Sequence, residues 1–133
     1  VKLEQRNVHR KIFEYCNAEL LAENYFHSVQ EAAKSIFDRL RDITGIQGDG
    51  GKLVDAVLSG DQPLCTINQY ITESEQSEQR GFSNLLKGLY GMFRNPTAHS
   101  SKIKWEMTEE DALDIMAVIS YSHKRLDNLK KNR

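Results

Sequence analysis

The sequence contains little proline or cysteine and no long apolar run. It has two prolines, two cysteines and eight glycines in 133 residues. The scarcity of proline leaves room for long helices. Cys16 and Cys65 have no Cys-x-x-Cys partner and no clustered histidines, which argues against a structural zinc site and favours a reducing, cytoplasmic compartment. No apolar segment approaches membrane-spanning length and no signal peptide is visible, so we predict no membrane partner.

Neither sign of charge dominates the sequence. Lys and Arg number 18 and Asp and Glu number 19, giving a net charge of −1. This balance excludes a protein that binds nucleic acid through its overall charge, so any RNA contact needs a local patch. The candidate cations for such a patch are Arg94, Lys102, Lys104, Lys130, Lys131 and Arg133. Lys130, Lys131 and Arg133 have an alternative interpretation, in which they lie at the C-terminus of a helix and complement its dipole.

Apolar residues recur every three or four positions and predict an all-α fold. The spacing predicts a short helix around residues 8–16 and a long helix over about 18–44, capped by Asn17 and ended by Gly45. A short helix follows at 53–58, and residues 62–70 are irregular or locally extended. A capping box at Thr72 starts a helix that runs through Phe93, and Thr108 caps the last one. The prediction is a bundle of two long helices and two or three shorter ones.

Glycines mark two further features of the sequence. Residues 48–52 resemble a phosphate-binding loop only superficially, because Leu53 stands where Ser or Thr is needed, and we predict a turn there. Gly81, Gly88 and Gly91 fall on one face of the predicted fourth helix, where each costs about 1 kcal/mol relative to Ala. Such a face indicates close approach of another backbone, either from this chain or from a symmetry-related copy.

The segment Arg94-Asn95-Pro96-Thr97-Ala98-His99 holds the strongest functional signal. Arg stays charged and forks onto phosphate oxygens, whereas His gains or loses a proton near neutral pH. Asn95 precedes a proline, so the preceding helix should end there and a new turn should begin. His99 then lies four residues after Asn95 on the same face, with Arg94 at the same corner. These are the side chains that metal-free phosphodiester cleavage requires. The alternative is a simple turn with a nearby His.

Most of residues 19–125 resembles the Ymh family of uncharacterised bacterial proteins. The resemblance rests on Gly81-Phe82, on Gly88-Leu89-Tyr90-Gly91, on the segment 94–99 and on the helical run 25–34. The Ymh family in turn is similar to the HEPN superfamily of all-helical, usually dimeric proteins. Many of those carry an Arg and a His a few residues apart, with a polar residue directly after the Arg, as Asn95 is here.

The resemblance implies a function. It implies metal-independent RNA cleavage with Arg94, Asn95 and His99 as the catalytic residues, no metal and no cofactor. The resemblance also implies that the protein acts on RNA and forms a homodimer. It implies a role as a toxin or phage-defence protein, with an antitoxin as a further partner. The 133 residues would form a single HEPN-like domain, either alone or as the C-terminal domain of a longer protein. The alternative is a non-catalytic dimerisation or nucleotide/RNA-binding module.

Other polar groups have weaker claims to a role. His27, Glu31 and Lys34 share one helical strip that the resemblance includes. A surface Glu31–Lys34 ion pair is one interpretation, and a role beside Arg94 and His99, with Lys34 on substrate, is the other. His27 and His123 are expected to be partly buried rather than metal ligands. The acidic start of the last helix, from Glu109, is expected to cap that helix rather than bind magnesium.

Overall fold

Five α-helices build the fold of the described residues, which in the computed structural model are 2, 6–21, 24–94 and 106–132. They are Arg10–Leu21 (α1), Tyr25–Thr44 (α2), Gly50–Leu58 (α3), Glu73–Leu89 (α4) and Glu109–Asp127 (α5). Helix α4 continues into a π-helical turn, Tyr90–Arg94. Two short strands, Cys65–Thr66 (β1) and Lys130–Lys131 (β2), pair antiparallel. The predicted all-α fold is confirmed.

The helix boundaries follow capping chemistry, with one correction. Thr72 and Glu75 form the predicted capping box, and the Thr108 hydroxyl accepts from the Asp111 amide as predicted. The prediction that Asn17 caps the long helix is wrong, because Asn17 lies inside α1. Asn24 caps α2 instead, by accepting the His27 amide at 3.2 Å. The periodic apolar pattern runs through both helices, so periodicity alone did not separate them.

Helix α2 is the centre of the core and packs against α1, α3, α5 and the π turn. Its apolar face is fully buried, with Val29, Ile36, Phe37 and Leu40 at 0% exposure. Burying side chains of this size contributes about 1.5–3 kcal/mol each. No helix within the described ranges combines the length and apolarity that a membrane crossing needs. The π turn is therefore held against the helix at the centre of the core.

The prediction of a turn over residues 48–52 is partly wrong, because α3 begins at Gly50. Gly50 has φ +62°, a conformation that favours glycine, and it is buried. A Cβ at this position would lie 2.9 Å from Cε2 of Tyr90. Gly50 is thus needed both for its backbone conformation and for the space that the Tyr90 ring occupies.

Lys130 and Lys131 are not at a helix end. They form β2 and pair with Thr66 and Cys65. The Asn132 amide donates to the Leu64 carbonyl at 2.7 Å, which extends the contact by one residue. For these two lysines the interpretation as a helix end that complements the dipole is therefore wrong, and strand pairing holds Lys130 beside the loop that precedes α4. Arg133 lies outside the described residues.

Gly81, Gly88 and Gly91 are exposed on one side of α4 and the π turn. A Cβ built on any of the three meets no atom of the described residues within 4 Å. Within that part of the chain, no backbone packs against this glycine face. A symmetry-related copy, the second of the two partners considered from the sequence, stays a prediction.

Candidate functional site

Arg94 lies at the end of the π turn and is half-buried. The turn begins where the Tyr90 amide donates to both the Leu86 and the Lys87 carbonyls. A π turn inserts an extra residue into the helical register and changes the direction of the side chains that follow it. Such turns are frequent at functional sites. Arg94 therefore leaves the helix in a different direction from the one a continued α-helix would give it.

Two aromatic contacts fix the π turn. The Tyr90 ring meets the Phe37 ring of α2 edge-on, with centroids 5.2 Å apart, and it also occupies the space beside Gly50 of α3. Phe93, one residue before Arg94, is 4% exposed and belongs to the core. These contacts anchor the backbone on both sides of Gly91 and Met92, so the base of the Arg94 side chain is well positioned. A preorganised guanidinium is what electrostatic stabilisation of a phosphate requires.

The remaining predicted site residues divide into two groups. Asn95, His99, Lys102 and Lys104 lie outside the described residues. Lys34 is half-buried on α2, one turn before Phe37, so it is on the helix that contacts the π turn. Among the described residues no ion pair joins Glu31 to Lys34. Lys34 therefore does not form the predicted surface ion pair with Glu31. Substrate binding by Lys34 stays a prediction.

His27 and His123 differ from the predicted partial burial in opposite directions. His27 is exposed, while His123 is 0% exposed. His123 stacks on His9, with ring centroids 5.1 Å apart and an interplanar angle of 29°. Ser35 and Arg39 of α2 bind His123, on the face of α2 roughly opposite to Phe37 because two residues turn a helix by about 200°. Helix α2 therefore separates this histidine cluster from Arg94.

The hydrogen bonds of the histidine cluster assign its protons. Ser35 donates to the Ala32 carbonyl at 2.5 Å, so its oxygen accepts Nε2–H of His123 at 2.7 Å. Arg39 can only donate, so Nδ1 of His123 accepts from it, at 3.1 Å, and the ring is neutral. Burial, followed by the nearby Arg39 guanidinium, lowers the pKa of His123 to about 3.

Asp127 links the second histidine to the same cluster. Nδ1 of His9 accepts from the Lys11 amide, and its Nε2 donates to the Asp127 carboxylate at 2.9 and 3.0 Å. Arg39 binds the same carboxylate. Desolvation raises the pKa of Asp127, but the hydrogen bonds from Arg39 and His9 outweigh it and leave that pKa lowered. The Ser35 hydroxyl beside His123 is buried and donates to the Ala32 carbonyl, so it is not available as a nucleophile. The paired polar atoms of the cluster instead join the start of α1 to α2 and α5.

The acidic start of α5 is occupied by contacts within the chain. Glu109 binds the Lys2 ammonium and accepts from the Tyr25 hydroxyl at 3.1 Å. The hydrogen bond from Lys2, followed by that from Tyr25, lowers the pKa of Glu109. Within the described part of the chain, no three His, Cys, Asp or Glu side chains are grouped to hold a metal ion.

Sequence reasoning missed Gly50 and the histidine cluster. The partners His9 and Asp127 are 118 residues apart, and Arg39 and His123 are 84 apart, so no local spacing connects them. The positive φ of Gly50 could have been predicted, since Asp49-Gly50 is a dipeptide typical of turns. The dipeptide does not predict that the Tyr90 ring packs against Gly50.

Comparison with known proteins gives one match. The sequence model of a family described as "Protein of unknown function (Hypoth_ymh)" matches residues 6–126, which is most of the chain. No curated protein matches significantly. No solved structure matches significantly either.

Proposed function

We propose, from the premise that the chain belongs to the Hypoth_ymh family, that it is a metal-independent endoribonuclease of the HEPN type. The observation that supports this most is the anchored, half-buried Arg94 at the end of a π turn, directly before Asn-Pro-Thr-Ala-His. A fixed cation and a titratable imidazole within one short segment are the minimum for phosphodiester transesterification. Membership of the HEPN superfamily is part of the proposal.

The reaction uses the ribose as its own nucleophile. His99 takes the proton of the 2′-hydroxyl while the 2′-oxygen attacks the adjacent phosphorus. Arg94 neutralises the charge that builds on the phosphoryl oxygens. The bond from phosphorus to the 5′-oxygen then breaks, and an imidazolium donates the proton that this oxygen needs. The products are a 2′,3′-cyclic phosphate and a 5′-hydroxyl, and Asn95 orients the imidazole or a phosphate oxygen.

A single His99 cannot easily act as base and acid in the same step, which favours two motifs that meet at an interface. The exposed glycine face of Gly81, Gly88 and Gly91 is a candidate interface, since it continues along the helical run that leads to Arg94. We therefore propose a homodimer whose composite site holds two copies of the 94–99 segment. A cytoplasmic toxin or phage-defence effector restrained by an antitoxin is the corresponding biological setting.

Gly88→Leu is expected to shift the protein from dimer to monomer in sedimentation velocity. The added side chain would occupy the space needed by the partner backbone. Lys52→Leu is the matched control, because Lys52 is exposed on α3 and gains the same side chain away from the glycine face. If nothing packs on Gly88, the substitution instead stabilises the helix by up to about 1 kcal/mol and leaves the mass unchanged. That second result would remove the composite-site mechanism.

The function itself is tested with two substrates that differ by one oxygen atom. The purified protein should cleave a single-stranded RNA but not the same strand with 2′-deoxyribose at the scissile position, because that strand lacks the nucleophile. Chelator in the reaction should leave cleavage of the RNA unchanged. Cleavage of both strands at equal rates would contradict the mechanism. Binding of both strands without cleavage of either would favour the alternative, a non-catalytic RNA-binding module.

A further inference from the structure

A polar groove lies along α4, between the residues that precede the helix and its Lys87 end. One cleft, of about 500 Å³, is lined by Gly60, Asp61, Tyr70, Arg80, Asn84 and Lys87 among others. A second cleft, of about 340 Å³, is lined by Asp61, Pro63, Thr66, Tyr70, Lys130 and Asn132 among others. Asp61 and Tyr70 line both clefts, so the two adjoin at these residues. We call the pair the Tyr70 groove.

Tyr70 is held at the junction of the two clefts in a strained backbone conformation. Its φ is +57°, which is rare for a bulky side chain. Its amide donates to the Asn68 side chain at 2.8 Å, and its hydroxyl donates to the Gly60 carbonyl at 2.9 Å. The ring is therefore fixed at both ends while the residue stays half-buried. Strained residues of this kind concentrate at ligand-binding sites.

Cations flank Tyr70 in the groove. Arg80 is exposed on α4 in the first cleft, and Lys130 is exposed on β2 in the second. Lys87 also lines the first cleft, but Asp55 already binds its ammonium, so the cations assigned to a ligand are Arg80 and Lys130. Asp61 is the opposing carboxylate. A fixed aromatic ring between two cations is the arrangement that single-stranded nucleic acid needs, with a base on the ring and phosphates on the cations.

The groove lies on the same helical run as Arg94. The first cleft ends at Lys87, which precedes Arg94 by seven residues, or roughly 10 Å along the axis. Arg80 precedes Arg94 by 14 residues, or roughly 21 Å. We propose that the Tyr70 groove binds a single-stranded segment of the same RNA that carries the scissile phosphate, with Tyr70 stacking on a base and Arg80 and Lys130 pairing with phosphates. The choice of RNA as ligand rests on the proposed function. The groove itself and its cations do not depend on His99.

Binding is measured by fluorescence anisotropy with a short single-stranded RNA and a full chain that carries His99→Ala, so that no strand is cut. Arg80→Gln together with Lys130→Gln should weaken binding about tenfold or more and reduce the salt slope by about 0.7 per cation removed. Tyr70→Leu should weaken binding about fivefold or more through the lost base stack. Tyr70→Phe keeps the ring and should bind within about twofold of the parent. Asp61→Asn removes the opposing charge and should bind more tightly.

Lys52→Gln is the matched control, since it removes one exposed cation outside the groove. The proposal is overturned if the Arg80/Lys130 variant binds RNA as tightly as Lys52→Gln does, or if duplex RNA binds as well as the single strand. Should Tyr70→Leu fail to fold, the two charge variants decide alone. If the groove variants weaken RNA binding but the unsubstituted chain does not cleave RNA, the nuclease proposal is contradicted and the groove proposal stands. If the unsubstituted chain cleaves RNA and the groove variants leave KM unchanged, the groove proposal is contradicted and the nuclease proposal stands.

Discussion

His99→Ala should reduce the rate of RNA cleavage by about 10²–10⁴-fold, the usual loss on removal of a general acid–base group. Arg94→Lys should also be badly impaired, because the lysine keeps the charge but lacks the planar fork that pairs two phosphate oxygens. Single-turnover rates with saturating RNA separate this loss from a loss of binding. The two residues act on the same phosphoryl centre, so their effects should not be additive.

Asp111→Asn is the control for these two variants. Asp111 is exposed in the first turn of α5, where its amide donates to the Thr108 hydroxyl. Its substitution should leave the single-turnover rate within about twofold of the parent, because its side chain has no part in the proposed chemistry. Equal cleavage by His99→Ala and the parent protein would remove His99 from the reaction.

The buried His123 should make the fold strongly sensitive to acid. The pKa of His123 is about 3 in the folded chain, against 6.5 in the unfolded one. The unfolded chain therefore binds the proton more readily, and the free energy of unfolding falls as pH decreases from about 6.5 to about 3. Full protonation across this window costs about 4–5 kcal/mol of stability, which is much of what a domain of this size has.

Urea unfolding between about pH 7 and about pH 4 measures this dependence. His123→Gln keeps a donor and an acceptor for Ser35 and Arg39 but does not titrate, so its stability should fall much less over this range. Identical pH profiles for the His123→Gln variant and the parent would show that His123 does not control the acid response.

The sequence predicted the helices where the cause was local. Three predicted helix ends depend on residues that act within four positions of themselves. The capping box of Thr72 and Glu75 starts α4, Thr108 starts α5 and Gly45 ends α2, as predicted. The break between α1 and α2 was misplaced because the apolar period continues across it, and the capping role belongs to Asn24 rather than to Asn17. Propensity and periodicity do not report which of two Asn residues takes the cap.

The features that position Arg94 depend on contacts between distant segments. Gly50 meets Tyr90 across 40 residues, and Phe37 meets Tyr90 across a longer separation. The π turn has no signature in the sequence other than Gly91 and the nearby Pro96, either of which is compatible with an ordinary helix end. The sequence could therefore name the Arg-to-His segment as the candidate site, but not the aromatic packing that holds its first residue.

The RNA ends that the purified protein produces in the presence of chelator distinguish transesterification from metal-dependent hydrolysis. We expect a 2′,3′-cyclic phosphate on one fragment and a 5′-hydroxyl on the other, since the 2′-oxygen displaces the 5′-oxygen and no metal-activated water takes part. Fragments that carry a 5′-phosphate, formed only when magnesium is added, would contradict transesterification.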